Sequence, residues 1–152
     1  LTRRARDAIV RLMDIRQLTP AHSVSPQIEP DDVPALAAAG FVSIICNRPD
    51  SEVPPGLQSA DLRKAAEAAG LQFFDNPITH QTMTPEKVEA QVAAIAGAGP
   101  SLAYCASGTR CTVVWMLGAA PSTPPDELIE TAARAGYNLE QLRPQLEALH
   151  RG

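Results

Sequence analysis

The run Phe41-Val42-Ser43-Ile44-Ile45-Cys46 is apolar and rich in β-branched residues, and it limits the fold more than any other stretch of the chain. A strand with no polar face has to be covered on both sides, as in parallel sheets enclosed by helices. Asp14-Ile15-Arg16-Gln17-Leu18 alternates polar and apolar residues and reads as a short strand, as do His22-Ser23-Val24-Ser25, Leu71-Gln72-Phe73-Phe74 and Ser101-Leu102-Ala103-Tyr104. Pro30, Asp31 and Asp32 suit the first turn of a helix that buries Val33, Leu36 and Ala37 and ends at Gly40. After a proline-rich loop from Asn47 to Gln58, Ser59 is placed to cap a helix through Ala69. Thr84-Pro85-Glu86 opens a third helix, with Val88, Val92 and Ile95 as its expected buried stripe. Strands alternating with helices build a parallel sheet through crossovers. The expected fold class is α/β, a parallel-rich central sheet flanked by helices.

Further along, Cys111 to Leu117 forms an apolar helix. Ser122 or Thr123 caps the next, which carries Asp126 and Glu127 in its first turn and stops at Gly136. Asn138 then caps a segment with Leu139, Leu142, Leu146 and Leu149 at helical spacing, kinked or restarted at Pro144. These two form a C-terminal helical pair. Residues 1–12, with Arg3, Arg4 and Arg6, read as an N-terminal extension, and residues 13–152 as a single domain.

Composition removes several function classes. Thirteen basic residues against seventeen acidic ones leave a net charge of −4, and only six residues are aromatic, which argues against phosphate neutralisation or base stacking on nucleic acid. No apolar run approaches the roughly 20 residues of a membrane helix. The three cysteines form no CxxC pair, and His22, His80 and His150 do not cluster with them, so neither a disulfide framework nor a zinc site is expected. The expectation is a cytoplasmic protein with no cofactor and no metal.

The chemistry concentrates in Cys105-Ala106-Ser107-Gly108-Thr109-Arg110. This loop leaves the carboxyl end of a strand, where parallel sheets place ligands, and enters a helix N-terminus, whose free N–H groups cradle anions. Gly108 lets the backbone curl through positive φ. The helix terminus and Arg110 favour the thiolate of Cys105, its nucleophilic form, and the guanidinium fork of Arg110 can grip two oxygens of a tetrahedral anion.

Together with Met13-Asp14-Ile15-Arg16-Gln17-Leu18-Thr19-Pro20, Ser23-Val24-Ser25-Pro26-Gln27-Ile28, Ile44-Ile45-Cys46-Asn47-Arg48-Pro49-Asp50 and Ala135-Gly136-Tyr137-Asn138-Leu139, this loop resembles the phosphatase-like domain of the bacterial beta-lactamase hydrolase-like proteins. The resemblance runs from about Met13 to Leu149. It implies a dual-specificity-phosphatase-like fold, with Cys105 as nucleophile and Arg110 as oxyanion binder. Some members of the family are fused to a metallo-hydrolase domain and regarded as sulfur-transfer proteins. The chain departs from cysteine phosphatases in spacing: four residues separate Cys105 from Arg110, the number found in rhodanese-type sulfurtransferases, where phosphatases usually have five. Tyr104 stands where a His is usual, and Cys111 where a Ser or Thr usually hydrogen-bonds the departing thiolate.

A phosphatase also needs a proton donor for the leaving oxygen. Asp75, expected just beyond a strand end, is the first candidate, and Asp50 the second, with a turn role as its alternative. Arg48, His80 and Thr112 are further candidate pocket residues. Cys46 is expected to fill core space, while Cys111 could instead trap an oxidised Cys105 as a disulfide. The leading expectation is hydrolysis of a phosphomonoester through a thiophosphate intermediate, on a small phosphorylated substrate or a phosphoprotein. The rival is sulfur transfer from a sulfur-donor substrate, with a persulfide on Cys105. The third is a non-catalytic module that binds an anion or phosphopeptide.

Overall fold

The computed structural model describes residues 2–97 and 99–152. Five strands form one mixed sheet in the order β1-β2-β5-β3-β4. β1 (Arg16–Thr19) and β2 (His22–Ser25) make an antiparallel hairpin, while β2, β5 (Ser101–Tyr104), β3 (Ser43–Cys46) and β4 (Gln72–Asp75) run parallel. Every residue of β3 and β5 is buried, as the apolar run requires. Successive side chains point to opposite faces, and each face has its own core. Ile44, Cys46, Phe73, Leu102 and Tyr104 pack under α1 (Arg3–Leu12), α2 (Val33–Ala38) and α3 (Ser59–Ala68). Val24, Ile45 and Ala103 pack under α4 (Pro85–Ile95), α5 (Thr109–Ala119), α6 (Pro125–Arg134) and α7 (Arg143–Arg151). None of the described helices is long and apolar enough to cross a membrane.

Residues 3–12 form a helix capped by the Thr2 hydroxyl, which accepts from the Ala5 N–H at 3.1 Å. Val10 and Met13 pack on the α1–α3 side of the sheet. Several element ends differ from the sequence expectation, each for a local reason. The stretch before Val33 is a separate 3-10 turn, Pro30–Asp32. Gln58 rather than Ser59 is the cap of α3, because Asp61 reaches back to the Gln58 N–H at 3.1 Å and closes a capping box. Pro124 occupies the cap of α6 in place of Ser122 or Thr123, with Pro125 at the first helical positions. Asn138 does not cap the last segment. A 3-10 turn, Glu140–Leu142, leads into α7, which Pro144 starts afresh. Helix α5 opens at Thr109, two residues before Cys111.

The largest departure is in α4. Val92 is 46% exposed, whereas Gln91 is fully buried. The helix is turned so that Gln91 can serve two buried amides at the strand ends. Its carbonyl accepts from Asn47 Nδ2 at 2.8 Å and Asn76 Nδ2 at 3.0 Å, and its amide donates to Asn47 Oδ1 at 2.9 Å. A buried polar side chain left without these partners costs about 1–3 kcal/mol per group, which outweighs the gain from seating one valine. Gln91→Leu is therefore expected to destabilise the fold by about 2–4 kcal/mol despite its greater apolarity, read as a lower midpoint in urea with an unchanged slope.

Candidate active site

The four parallel strands end level, with Ser25, Tyr104, Cys46 and Asp75 in one row. The next residues continue the ladder: the N–H groups of Cys105, Asn47 and Asn76 donate to the carbonyls of Ser25 (3.4 Å), Tyr104 (2.9 Å) and Cys46 (2.9 Å). Cys105 is thereby fixed to the sheet at its ligand-binding edge.

From Cys105 the chain turns into α5 within four residues. Gly108, at φ 92°, is the cap, and its N–H donates to Cys105 Sγ at 3.1 Å. A Cβ on Gly108 would overlap the Tyr137 hydroxyl, so the position requires glycine for space as well as for conformation. The Ser107 hydroxyl donates to Thr109 Oγ1 at 2.9 Å, and the Thr112 hydroxyl donates to the Gly108 carbonyl at 2.8 Å. Ala106 and Ser107 are exposed at the tip.

The Cys105 thiol is pushed down to about 5, first by a hydrogen bond with the Cys111 side chain and then by the N–H groups of Cys111, Ser107 and Gly108, against the opposing effect of burial. Burial pushes Cys111 well up, with the neighbouring Cys105 adding to the effect, so the proton of this pair resides on Cys111. Cys105 is itself fully buried.

Arg110 is held end-on. Its Nη1 and Nη2 donate to the two carboxylate oxygens of Glu52 at 2.8 and 2.7 Å, and Nη1 also donates to the Ile78 carbonyl at 2.9 Å. Of five guanidinium donors, these contacts use three. The Nε–H and one Nη2–H, parallel along one edge, remain for two oxygens of an anion. Arg110 in turn holds the Glu52 carboxyl below its ordinary range. Ile78 is tied down by its N–H to the Asn47 main-chain carbonyl at 2.9 Å, so the residue after β3 also helps to locate the arginine.

The remaining candidates are dispersed around this centre. Arg48 donates to Glu52 Oε1 at 3.2 Å and Gln27 Oε1 at 3.2 Å, making Glu52 a bridge between two arginines. Asp50 accepts the Ser59 N–H at 2.7 Å at the start of α3. Asp75 closes β4, two strands from Cys105; it accepts from the Ser59 hydroxyl at 3.3 Å, and burial raises its carboxyl above the ordinary range. His80 is exposed in a turn two residues beyond Ile78. Cys46 is buried in the core beneath the site, its thiol pushed up to about 11 by burial.

Sequence reading missed Glu52, Gln91 and Tyr137 as site residues. Glu52 lies 58 positions from its arginine, and the one local signal was its i,i+4 spacing from Arg48. Tyr137 donates to the Ser107 carbonyl at 3.0 Å from 30 positions away.

Comparison with known proteins identifies the family and the fold. The family described as beta-lactamase hydrolase-like protein, phosphatase-like domain, matches residues 14–122. A beta-lactamase hydrolase-like protein of Agrobacterium fabrum is 39% identical over 90 residues, covering 59% of this chain and 21% of that protein. The chain spans about a fifth to a quarter of the length of the curated relatives it matches. A candidate phosphatase from Neisseria meningitidis superimposes with a TM-score of 0.78 at 36% identity, over 90% of this chain and 99% of that one. The core catalytic domain of the PP-IP phosphatase SIW14 from S. cerevisiae shares the fold at 13% identity and a TM-score of 0.63, over 88% and 83% of the two chains. The chain belongs to the beta-lactamase hydrolase-like protein, phosphatase-like domain family.

Proposed function

We propose that this domain hydrolyses phosphomonoesters with Cys105 as the nucleophile. The observation that carries the reading is the Cys105 sulfur accepting the Gly108 N–H at the cap of α5, beside an arginine whose Nε–Nη2 edge takes no partner among the described residues. In the first step a Cys105 Sγ–P bond forms and the P–O bond to the leaving group breaks, while a proton moves to the leaving oxygen. Arg110 and the loop N–H groups hold the equatorial oxygens. In the second step the oxygen of water bonds to phosphorus as the S–P bond breaks, a proton of that water returns to the carboxylate that gave one up in the first step, and Cys105 returns as thiolate with release of inorganic phosphate. The hydrogen bond with Cys111 stabilises that departing thiolate. Asp75 is the proton donor in this reading. Its raised pKa supports the role. The substrate class is a small phosphorylated molecule or a phosphoprotein.

One observation favours the rival. The four-residue spacing from Cys105 to Arg110 makes a smaller cradle, which suits a persulfide carried on Cys105 between a sulfur donor and a thiol acceptor.

Purified protein is expected to hydrolyse p-nitrophenyl phosphate, with all turnover lost in Cys105→Ser. Arg110→Lys keeps the charge but not the fork, and is expected to lower kcat/KM by about 10- to 100-fold. Because the thiolate is already formed at neutral pH, the rate should gain nothing as pH rises through the range where ordinary thiols ionise. Absence of hydrolysis, together with one sulfur added to Cys105 by thiosulfate, would replace phosphoryl transfer with sulfur transfer. Asp75→Asn should slow phenyl phosphate, a poor leaving group, by about 10²-fold or more and p-nitrophenyl phosphate much less; equal losses on both would remove Asp75 from the proton-transfer role.

A further inference from the structure

Tyr137 lies between α6 and the final 3-10 turn, beyond the residues matched by the family. Its ring is buried, and its hydroxyl donates to the Ser107 carbonyl at 3.0 Å. That carbonyl belongs to the same peptide unit as the Gly108 N–H, which donates to Cys105 Sγ at 3.1 Å. A trans peptide is planar, with its oxygen and hydrogen pointing in opposite directions. Fixing the oxygen on Tyr137 therefore aims the hydrogen at the sulfur. Rotation of this peptide would instead present a carbonyl dipole to the thiolate, and glycine at position 108 does little by itself to prevent it. Donation onto the carbonyl also polarises the N–H at the other end of the unit.

Tyr137 is in turn held by Arg16. The guanidinium carbon lies 5.4 Å from the ring centroid, a cation–π arrangement that draws electron density from the phenol. Arg16 Nη1 donates to the Ala135 carbonyl at 2.8 Å, and Nε and Nη2 donate to the Asp14 carboxylate at 3.1 and 3.3 Å. A Cβ at Gly136 would overlap Arg16 Nη1, so this close approach depends on glycine as well. The charged or titratable groups around the phenol are thus Arg16 and Asp14 on one side and Cys105 and Cys111 on the other. Those around the thiolate are Cys111 and Arg110.

We propose that Tyr137 is a positioning residue for the Cys105 nucleophile, acting through the Ser107–Gly108 peptide and braced by Arg16. The inference rests on reading Cys105 as an anionic nucleophile. It gives the C-terminal part of the chain a share in the chemistry, since a hydroxyl from the α6–α7 connection sets the orientation of an amide in the catalytic loop.

The test is a titration of the ultraviolet thiolate absorbance that disappears in Cys105→Ser, which needs no reagent to reach the buried sulfur. In Tyr137→Phe, which removes only the hydroxyl, the Cys105 midpoint is expected to rise by about 0.5–1 pH unit, the equivalent of one hydrogen bond. On p-nitrophenyl phosphate kcat is expected to fall by about three- to tenfold with KM little changed. Arg16→Lys, which keeps the charge but loses the planar stack, should shift the midpoint in the same direction by less. A midpoint in Tyr137→Phe equal to that of the parent overturns the proposal, and a fall in Tm without that shift assigns Tyr137 a structural role alone. Should Tyr137→Phe fail to fold, an unshifted midpoint in Arg16→Lys overturns the proposal in its place. A parent protein whose Cys105 titrates in the ordinary thiol range would instead sink the nucleophile reading itself, so the two failures are distinguishable.

Discussion

A helix start leaves amide hydrogens with no partner inside the helix, and in this chain the Cys111 N–H of α5 joins the loop N–H groups of Ser107 and Gly108 around one sulfur. The N–H groups of Ser107, Gly108 and Cys111 all support the Cys105 thiolate, and burial of the same residue opposes it. The hydrogen bonds outweigh the desolvation. The sheet makes this convergence possible, because β5 is covered on both faces and ends level with its neighbours. Cys105 leaves the strand with its N–H already committed to Ser25. The tight curl at Gly108 then brings the helix terminus back over the residue that precedes it.

Charge around this centre is arranged in layers. Arg110 carries the positive charge an anion needs, yet Glu52 neutralises its outer end and shares itself with Arg48. An exposed ion pair adds little to stability, but here its geometry has a directional effect. By occupying the terminal nitrogens, Glu52 leaves the side edge of the guanidinium as the open face. Asn47, whose side chain belongs to the amide cluster with Asn76 and Gln91, accepts the Ile78 N–H on its main-chain carbonyl, and the Ile78 carbonyl takes a further Arg110 donor. Stability and positioning are in this way functions of the same buried groups.

What could be read from the sequence was local. The loop from Cys105 to Arg110 packs its cysteine, glycine and arginine into six consecutive residues, and its place between a buried strand and a helix followed from the apolar runs on either side. The sheet was legible for the same reason: strands with no polar face leave few alternatives. Contacts between distant segments were not legible. Glu52 sits in a proline-rich loop with several other carboxylates, and nothing in its neighbours pairs it with Arg110. Gln91 has no signal of its own in the sequence, where the expected apolar stripe runs through Val92. Val88 and Ile95 of the expected stripe do pack on the core, and Val92 alone is displaced by Gln91, because unpaired amides at Asn47 and Asn76 would cost more than an exposed valine. At helix starts, Ser59, Ser122, Thr123 and Asn138 all had the side chains of caps, and the positions went to residues favoured by neighbouring prolines or by Asp61.

The central claim, that this loop presents a thiolate and the side edge of an arginine to a tetrahedral phosphorus centre, is tested most directly by a crystal structure of the protein with orthovanadate. The account predicts vanadium bonded to Cys105 Sγ, its equatorial oxygens on the loop N–H groups and on Nε and Nη2 of Arg110, with Glu52 still on the terminal nitrogens. Vanadate bound away from Cys105, or an Arg110 that leaves Glu52 to meet it end-on, would contradict the account.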